Sequence, residues 1–398
     1  MILDMSVDEE TSGRTEGPYL RKVMLGEFPG LGGDVEFTLG RRRTILVGRN
    51  GAGKSLLVDG LWLGAWAPLR TTESPRAAPQ VFACEVGTDD GSTIAYRYRV
   101  GAQESDDAFD AELGEVFDAL SERGELLQTW EEHCWELATD RTSWRIEGAQ
   151  LFIGDAPAIK IAAGIGLLEL PDMPRPTHAA TLERVLRGVR RVSTPDTDGA
   201  RDEVLVGSRL HRGHRRWVQP SPGRVNRLAT VLMNRWEQMR THYDEFCAAV
   251  QDLRLARDVT VNTYRDPRTR DDIAELRFDG INLGYLSEGT LRVLEILVTL
   301  LQPSTRVLLI EEPEMAVHPG LLERLLAVID AHSLDRQIVV STHSPQVVNW
   351  GHPEDLRLVE RDSNATTVRP LADEDVASVV RHLQDFDLAD LVFRRERT

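Results

Sequence analysis

Lysine is nearly absent from this 398-residue chain: Lys22, Lys54 and Lys160 are the only three, so arginine carries its positive charge. Cysteine is equally scarce. Cys84, Cys134 and Cys247 lie far apart, which excludes a disulfide framework and a cysteine metal site, and suits a reducing, cytoplasmic setting. No apolar run approaches the length of about 18 residues that a membrane span needs, so no membrane contact is expected. Basic charge is short overall, with 47 Lys and Arg against 64 Asp and Glu and a net charge of −17. A chain this acidic cannot draw nucleic acid through its overall field; any such contact needs a local arginine patch. Residues 1–17 lack the basic start and apolar core of a secretory leader and read as a disordered tail.

Against these absences, one of the three lysines stands in a complete motif. Gly48-Arg49-Asn50-Gly51-Ala52-Gly53-Lys54-Ser55 follows the apolar strand Thr44–Val47 and leads into a helical pattern at Leu56, Leu57 and Leu61. Gly48, Gly53, Lys54 and Ser55 fill the fixed positions of the phosphate-binding loop in its strand–loop–helix setting. Glycines let the backbone N–H groups of Asn50, Gly51, Ala52 and Gly53 turn inward around phosphate oxygens, and the helix N-terminus adds favourable partial charge. Lys54 is placed to reach the β- and γ-phosphates, and the Ser55 hydroxyl to ligate Mg²⁺.

Short strands are expected at Tyr19–Met24, Val35–Leu39 and a hairpin of Val81–Glu85 with Ser92–Val100. An acidic stretch, Glu104 to Asp140, follows, with a helical period at Phe109, Leu113, Val116, Phe117 and Leu120. The cluster Trp130, Trp135 and Trp144 reads as core. Residues 176–192 carry another helical pattern and open an arginine-rich segment that runs to Arg227. This patch reads either as a loop neutralising the acidic arm or as a contact for DNA or an acidic partner, through Arg209, Arg212, Arg215, Arg216, Arg224 and Arg227. Arg41-Arg42-Arg43 reads as a solvated turn. A long helix is expected from Arg224 to Leu253, then strands at Val259–Tyr264 and Ala274–Phe278.

The C-terminal third repeats the phosphate chemistry. Ser287-Glu288-Gly289-Thr290 opens a helix, a second anion-binding element. The apolar strand Arg306–Ile310 ends in Glu311-Glu312-Pro313-Glu314, acids suited to a Mg²⁺ shell and to positioning water. A further apolar strand, Gln337–Val340, ends in Ser341-Thr342-His343-Ser344-Pro345, where His343 can hydrogen-bond a γ-phosphate. No N-K-x-D guanine motif occurs, which excludes a small GTPase.

In this order the motifs resemble those of the ABC-type ATPases, within them the RecF/SMC-like and OLD-like group, and most of all bacterial AAA-family ATPases carrying Leu-Ser-Glu-Gly-Thr-Leu-Arg, Ile-Glu-Glu-Pro-Glu and Thr-His-Ser-Pro. The resemblance covers about 19–66 and 272–392. It implies an α/β fold: a P-loop NTPase ABC-type head with a central mixed or parallel sheet flanked by helices, an antiparallel β subdomain, and an inserted, mainly helical arm. Residues 18–100 would form the N-terminal lobe, 101–257 the arm and 258–398 the C-terminal lobe. The resemblance makes Gly48–Ser55 the Walker A loop, Glu311 the metal-binding Walker B acid and Glu312 the catalytic glutamate. Ser287 and Gly289 match the signature that acts on nucleotide held by the opposite subunit, His318 the D-loop position and His343 the switch histidine. It implies ATP and Mg²⁺ as ligands and a head-to-head homodimer. Glu311 stands where aspartate is commoner, and the signature reads S-E-G-T rather than S-G-G-Q. The separation of 232 positions between Ser55 and Ser287 favours an inserted arm over a transporter subunit, and with 55 residues after His343 no nuclease domain is expected in cis. A separate effector such as a nuclease, in anti-phage defence or DNA repair, is the role such single-lobe ATPases suggest; a scaffold with little hydrolysis is the alternative.

Overall fold

The computed structural model describes residues 17–69, 78–102, 128–161, 166–170, 173, 175–192, 208–211, 216–218, 224–265, 272–362 and 365–371. The chain opens with β1 (Tyr19–Gly26), β2 (Val35–Thr38) and β3 (Arg43–Val47), followed by helix α1 (Lys54–Trp66). Six strands come next: β4 (Val81–Gly87), β5 (Thr93–Ala102), β6 (Gln128–Glu136), β7 (Arg141–Glu147), β8 (Gln150–Ile153) and β9 (Ile159–Lys160). Helix α2 (Ala179–Arg187) leads into β10 (Val189–Val192), then β11 (Ser208–His211) and β12 (Arg216–Val218). Helices α3 (Arg224–Gln238) and α4 (Arg240–Asp252) precede β13 (Val259–Arg265), β14 (Asp272–Phe278) and β15 (Ile281–Asn282). The C-terminal part runs α5 (Glu288–Leu300), β16 (Val307–Glu311), α6 (Pro319–His332), β17 (Gln337–Thr342), α7 (Pro345–Trp350), β18 (Leu356–Asp362) and β19 (Ala365–Pro370).

The central sheet has the order β10-β16-β17-β3-β18-β19, parallel from β10 through β18 with β19 antiparallel at the edge. Strands β3, β16 and β17 are buried along their whole length, which is why they read as near-continuous apolar runs. Alternate side chains serve two separate cores. Leu46, Val307, Leu309 and Val339 face the antiparallel sheet, α1 and α2. Ile45, Val47, Leu308, Ile310, Ile338 and Val340 face α3 to α7. The antiparallel sheet, order β2-β1-β4-β5-β6-β7-β8-β9, is the expected β subdomain but larger, and a third sheet joins β11 to β15.

Several expectations change here. Residues 128–160, placed by sequence within a mainly helical arm, form four strands that extend the antiparallel sheet; helices in the inserted region lie at 179–187 and 224–252. Trp130, Glu132 and Cys134 point inward at period two, and Tyr96, Tyr98 and Trp144 close over them. The helical pattern read over 176–192 ends at Gly188, whose N–H returns to the Arg184 and Val185 carbonyls. Beyond it Val189–Val192 is drawn into register with Val307–Ile310, so pairing with β16 overrides the local period. The single helix expected from 224 to 253 is two, broken at Met239, where φ is −138° and ψ is 58°. Arg43 is buried, not solvated: it pairs with Asp330 at 2.8 Å and Asp355 at 3.1 Å and lies over the Trp350 ring. Residues 1–16 of the tail read at 1–17, and the helix read near 109–120, lie outside the described residues. Among the described residues no helix is long and apolar enough to cross a membrane.

Candidate functional site

Three loops converge at the carboxyl ends of adjacent parallel strands, the position where open α/β sheets bind ligands. The first is the phosphate loop, leaving β3. Gly48 is buried, and a Cβ there would stand 2.2 Å from the Val359 carbonyl oxygen, so only glycine fits. Gly53 takes φ 104° at the N-cap of α1, in the left-handed region. Asn50 and Gly51 stay exposed at the loop's tip, while Ala52 and Gly53 are buried beneath it. Lys54 is buried, and its ammonium donates to the carbonyls of Gly48 at 2.7 Å and Arg49 at 3.1 Å. Burial lowers its pKa, while Glu312 and Glu314 act against that loss of charge.

The second loop leaves β16. Glu311 is the last strand residue and only 2% exposed. Burial raises its pKa; the Arg191 guanidinium hydrogen-bonded to it, and more weakly the nearby Ser55 hydroxyl, oppose the rise. Glu312 then turns out of the strand with φ 45°, its N–H donating to the Ser341 carbonyl at 2.8 Å. A left-handed conformation at a non-glycine residue costs on the order of 1–2 kcal/mol, held here by the surrounding loops.

The third loop leaves β17 and carries His343. Its Nδ1 lies 3.5 Å from both Glu312 Oε1 and Glu314 Oε1. Glu314 Oε1 also accepts from the Thr342 hydroxyl at 2.6 Å and from the His343 N–H at 3.1 Å. The Glu312 carboxylate raises the imidazole's pKa above the ordinary histidine value, with Glu314 adding to it, and the imidazole lowers that of Glu312.

The structure therefore brings Lys54, Ser55, Glu311, Glu312 and His343 together. Ser287 and Gly289 sit at the N-terminus of α5, the helix whose Arg292 donates to the Glu311 carbonyl. Ser287 caps α5 from an exposed position, its hydroxyl accepting from the Thr290 N–H at 3.2 Å and sharing a hydrogen bond with the Thr290 hydroxyl at 2.8 Å. Gly289 backs onto the loop after β16, where a Cβ would meet the Ala316 carbonyl oxygen at 2.0 Å. His318 caps α6 through Nδ1. Of the arginine patch, Arg224 is turned inward, pairing with Glu288 and with Glu295 at 2.6 Å. Arg209 and Arg216 lie on β11 and β12, and Arg212 and Arg215 lie outside the described residues.

Four site residues escaped the sequence reading. Glu314 was visible in the acid run and became distinct only through its bonds to β17. Asp59 sits one helical turn after Ser55, a spacing that could have singled it out. Arg191 and Arg292 have no local signal. Arg191 arrives through β10, with Nε 2.8 Å from Glu311 Oε1. Arg292, on α5, is fully buried and donates to the Glu311 carbonyl and, at 3.4 Å, to that of Val192.

Ser55 and Glu311 fit a magnesium ion. Among the described residues no cluster of three or more His, Cys, Asp or Glu could hold a metal alone. A hydroxyl and one carboxylate beside a phosphate loop match the usual habit of Mg²⁺, which takes few protein oxygens and completes its shell with phosphates and water.

A parallel sheet with a phosphate loop, an acid pair and a strand-end histidine on neighbouring strands defines a P-loop NTPase with an ABC-type head. The chain belongs to the family described as "AAA domain, putative AbiEii toxin, Type IV TA system", whose profile matches residues 43–349. It is thus a nucleotide-binding protein of an ATPase family. Solved structures similar to it include a SmcHead bound to the C-winged helix domain of ScpA, at 14% identity and TM-score 0.42, covering 90% of this chain and 99% of that one. The SMC head domain from Thermotoga maritima matches at 13% identity and TM-score 0.39, covering 89% and 99%. The Smc head domain from Pyrococcus furiosus with an extended coiled coil, bound to the C-terminal domain of ScpA, matches at 11% and 0.40, covering 92% and 100%. No curated protein matches the chain.

Proposed function

We propose that this protein binds ATP with Mg²⁺ and hydrolyses it as a head-to-head homodimer, and that nucleotide-set closure of the dimer controls a separate effector, such as a nuclease, or a DNA transaction in anti-phage defence or repair. The observation that carries the reading is the convergence of Lys54, Glu311, Glu312 and His343 at the ends of β3, β16 and β17.

In this scheme Lys54 leaves the carbonyls of Gly48 and Arg49 for the β- and γ-phosphates, while the backbone of Asn50 to Gly53 cradles them. Ser55 and Glu311 would hold Mg²⁺, which when bound neutralises charge on the phosphate oxygens. Glu312, whose pKa is lowered by His343, stays ionised at neutral pH and can orient water and accept its proton. His343, held by Glu314, donates a hydrogen bond toward the γ-phosphate. Ser287 and Gly289 belong to the site of the opposite subunit. A γ-phosphate bridging two subunits need favour the closed dimer by only about 5.5 kcal/mol to move its occupancy from 1:99 to 99:1. The matched family's description, a toxin of a toxin–antitoxin system, supports action with a cognate partner.

Glu312→Gln tests the assignment. The variant should bind ATP as the parent does, lose turnover at least a hundredfold, and accumulate as a dimer on gel filtration with ATP. Parental turnover in Glu312→Gln would overturn the assignment of the catalytic acid.

A further inference from the structure

Glutamate at the metal-binding position poses a geometric problem. Its extra methylene adds a rotatable bond, so its carboxylate sweeps a wider volume than an aspartate's, and placing it costs more side-chain entropy. In this chain a guanidinium takes up that freedom. Arg191 Nε donates to Glu311 Oε1 at 2.8 Å, and Arg191 Nη1 lies 2.5 Å from Asp59 Oδ1. The guanidinium also lies over the Trp62 ring, 5.5 Å from its centroid.

These partners are not scattered. Ser55, Asp59 and Trp62 follow one another at i, i+4 and i+7 on α1, so they share one face of the helix. Arg191 sits opposite Leu309 in the β10–β16 register, two residues short of Glu311 on the neighbouring strand. The arginine is therefore held by backbone pairing, by an aromatic face and by two carboxylates, a geometry that the planar fork of arginine satisfies and a lysine ammonium does not.

We propose that Arg191 is a positioning residue of the metal site: by holding Glu311 Oε1 against Asp59, it fixes the carboxylate beside Ser55, so that cation affinity depends on a residue supplied by the inserted region. The inference rests on the ATP and Mg²⁺ reading above. Partners that orient metal ligands typically change metal affinity by about 10–100-fold when removed.

The test uses Mn²⁺ in place of Mg²⁺, titrated by electron paramagnetic resonance into full-length protein saturated with a non-hydrolysable ATP analogue. Arg191→Ala should weaken Mn²⁺ binding about tenfold or more, while affinity for the analogue in EDTA stays within about twofold of the parent. Arg191→Lys, which keeps the charge and loses the fork, should fall between them, and it carries the test if Arg191→Ala does not fold. Mn²⁺ affinity unchanged or tightened in the folded variants overturns the proposal. A parent that binds the analogue neither with nor without cation overturns the nucleotide reading, and this inference with it. Where the parent does bind the analogue, equal Mn²⁺ affinity in the parent and the folded variants overturns this inference alone.

Discussion

Glu314 separates two roles that are often conflated in acid clusters, bridging strands and setting charge. Its Oε1 accepts from the Thr342 hydroxyl and the His343 N–H, tying the end of β16 to the end of β17, while its Oε2 is buried without a partner. Glu314→Ala removes both bonds. Hydrogen bonds to a charged group contribute about 1.5–3 kcal/mol each, and part of the Thr342 and His343 polar surface can rehydrate, so the cost should be about 2–4 kcal/mol. At about 2 °C per kcal/mol for a chain of this size, the melting temperature should fall by about 4–8 °C. Glu314→Gln keeps an acceptor oxygen in place and should cost no more than about 1 kcal/mol. The amide nevertheless deprives His343 of a negative neighbour. Because Glu312 first and Glu314 second raise the His343 pKa, the stabilisation from its charged form is complete below the unfolded value of about 6.5 and disappears as the pH rises through the folded value. In Glu314→Gln that loss should come at lower pH, read directly from the His343 proton resonances across a titration. Equal melting temperatures for the Gln and Ala variants, or an unmoved His343 titration in Glu314→Gln, would refute the reasoning.

Two further perturbations probe the frame around the site. Glu132 is buried and accepts from Trp130 Nε1 at 2.9 Å, Trp144 Nε1 at 2.8 Å and the Leu167 N–H at 3.1 Å. Glu132→Leu strands all three donors and should cost about 3 kcal/mol or more, whereas Glu132→Gln strands one and should cost about 1–3 kcal/mol; thermal melts rank them. Burial raises the Glu132 pKa, so its folded carboxyl binds a proton more tightly than the unfolded one. Parental stability should therefore include a component that is largest below about pH 4.3 and shrinks as the pH rises toward the folded value, a component that Glu132→Gln should lack. Gly289→Ala should press its methyl into the Ala316 carbonyl, destabilise by about 1–3 kcal/mol, and reduce turnover at least tenfold while ATP binding to the phosphate loop persists, as equilibrium binding and turnover assays will show.

The parts legible in the sequence were those whose determinants are local. A strand, a glycine-bearing turn and a helix lie within 24 residues of one another from Arg43 to Trp66, so the phosphate loop could be read without the rest of the fold. The buried parallel strands β16 and β17 were legible for the same reason, as was the core position of Trp130 and Trp144, whereas Trp135, read with them as core, is half-buried and stacks on His133. Strand β10 was not, because Val-Arg-Arg-Val carries no strand pattern; it is a strand only because β16 offers it a ladder. The strands at 128–160 were hidden by a buried charge. Glu132 occupies the inward position between Trp130 and Cys134, breaking the apolar alternation that marks a half-buried strand. Arg191 beside Glu311 joins residues 120 positions apart, and no spacing rule reaches that far.

The shortage of lysine then acquires a physical reading. Arg43, Arg235, Arg292 and Arg357 are all less than a tenth exposed, and each is tied to acids or main-chain carbonyls. Burial lowers the pKa of Arg235 and Arg292 to about 10, which still leaves both charged at neutral pH. A lysine under the same desolvation starts two units lower and would keep a much smaller margin of charge. Arginine thus braces this interior with the wider margin of charge. Lys54 is the exception that the chemistry requires, because a phosphate loop has room for a compact ammonium and not for a planar fork. Its burial would disfavour the charge, and Glu312 and Glu314 oppose that loss. The two acids so serve the phosphate loop as well as His343: neutralising either one should lower the pKa of Lys54, and with it the affinity of the loop for phosphate at high pH.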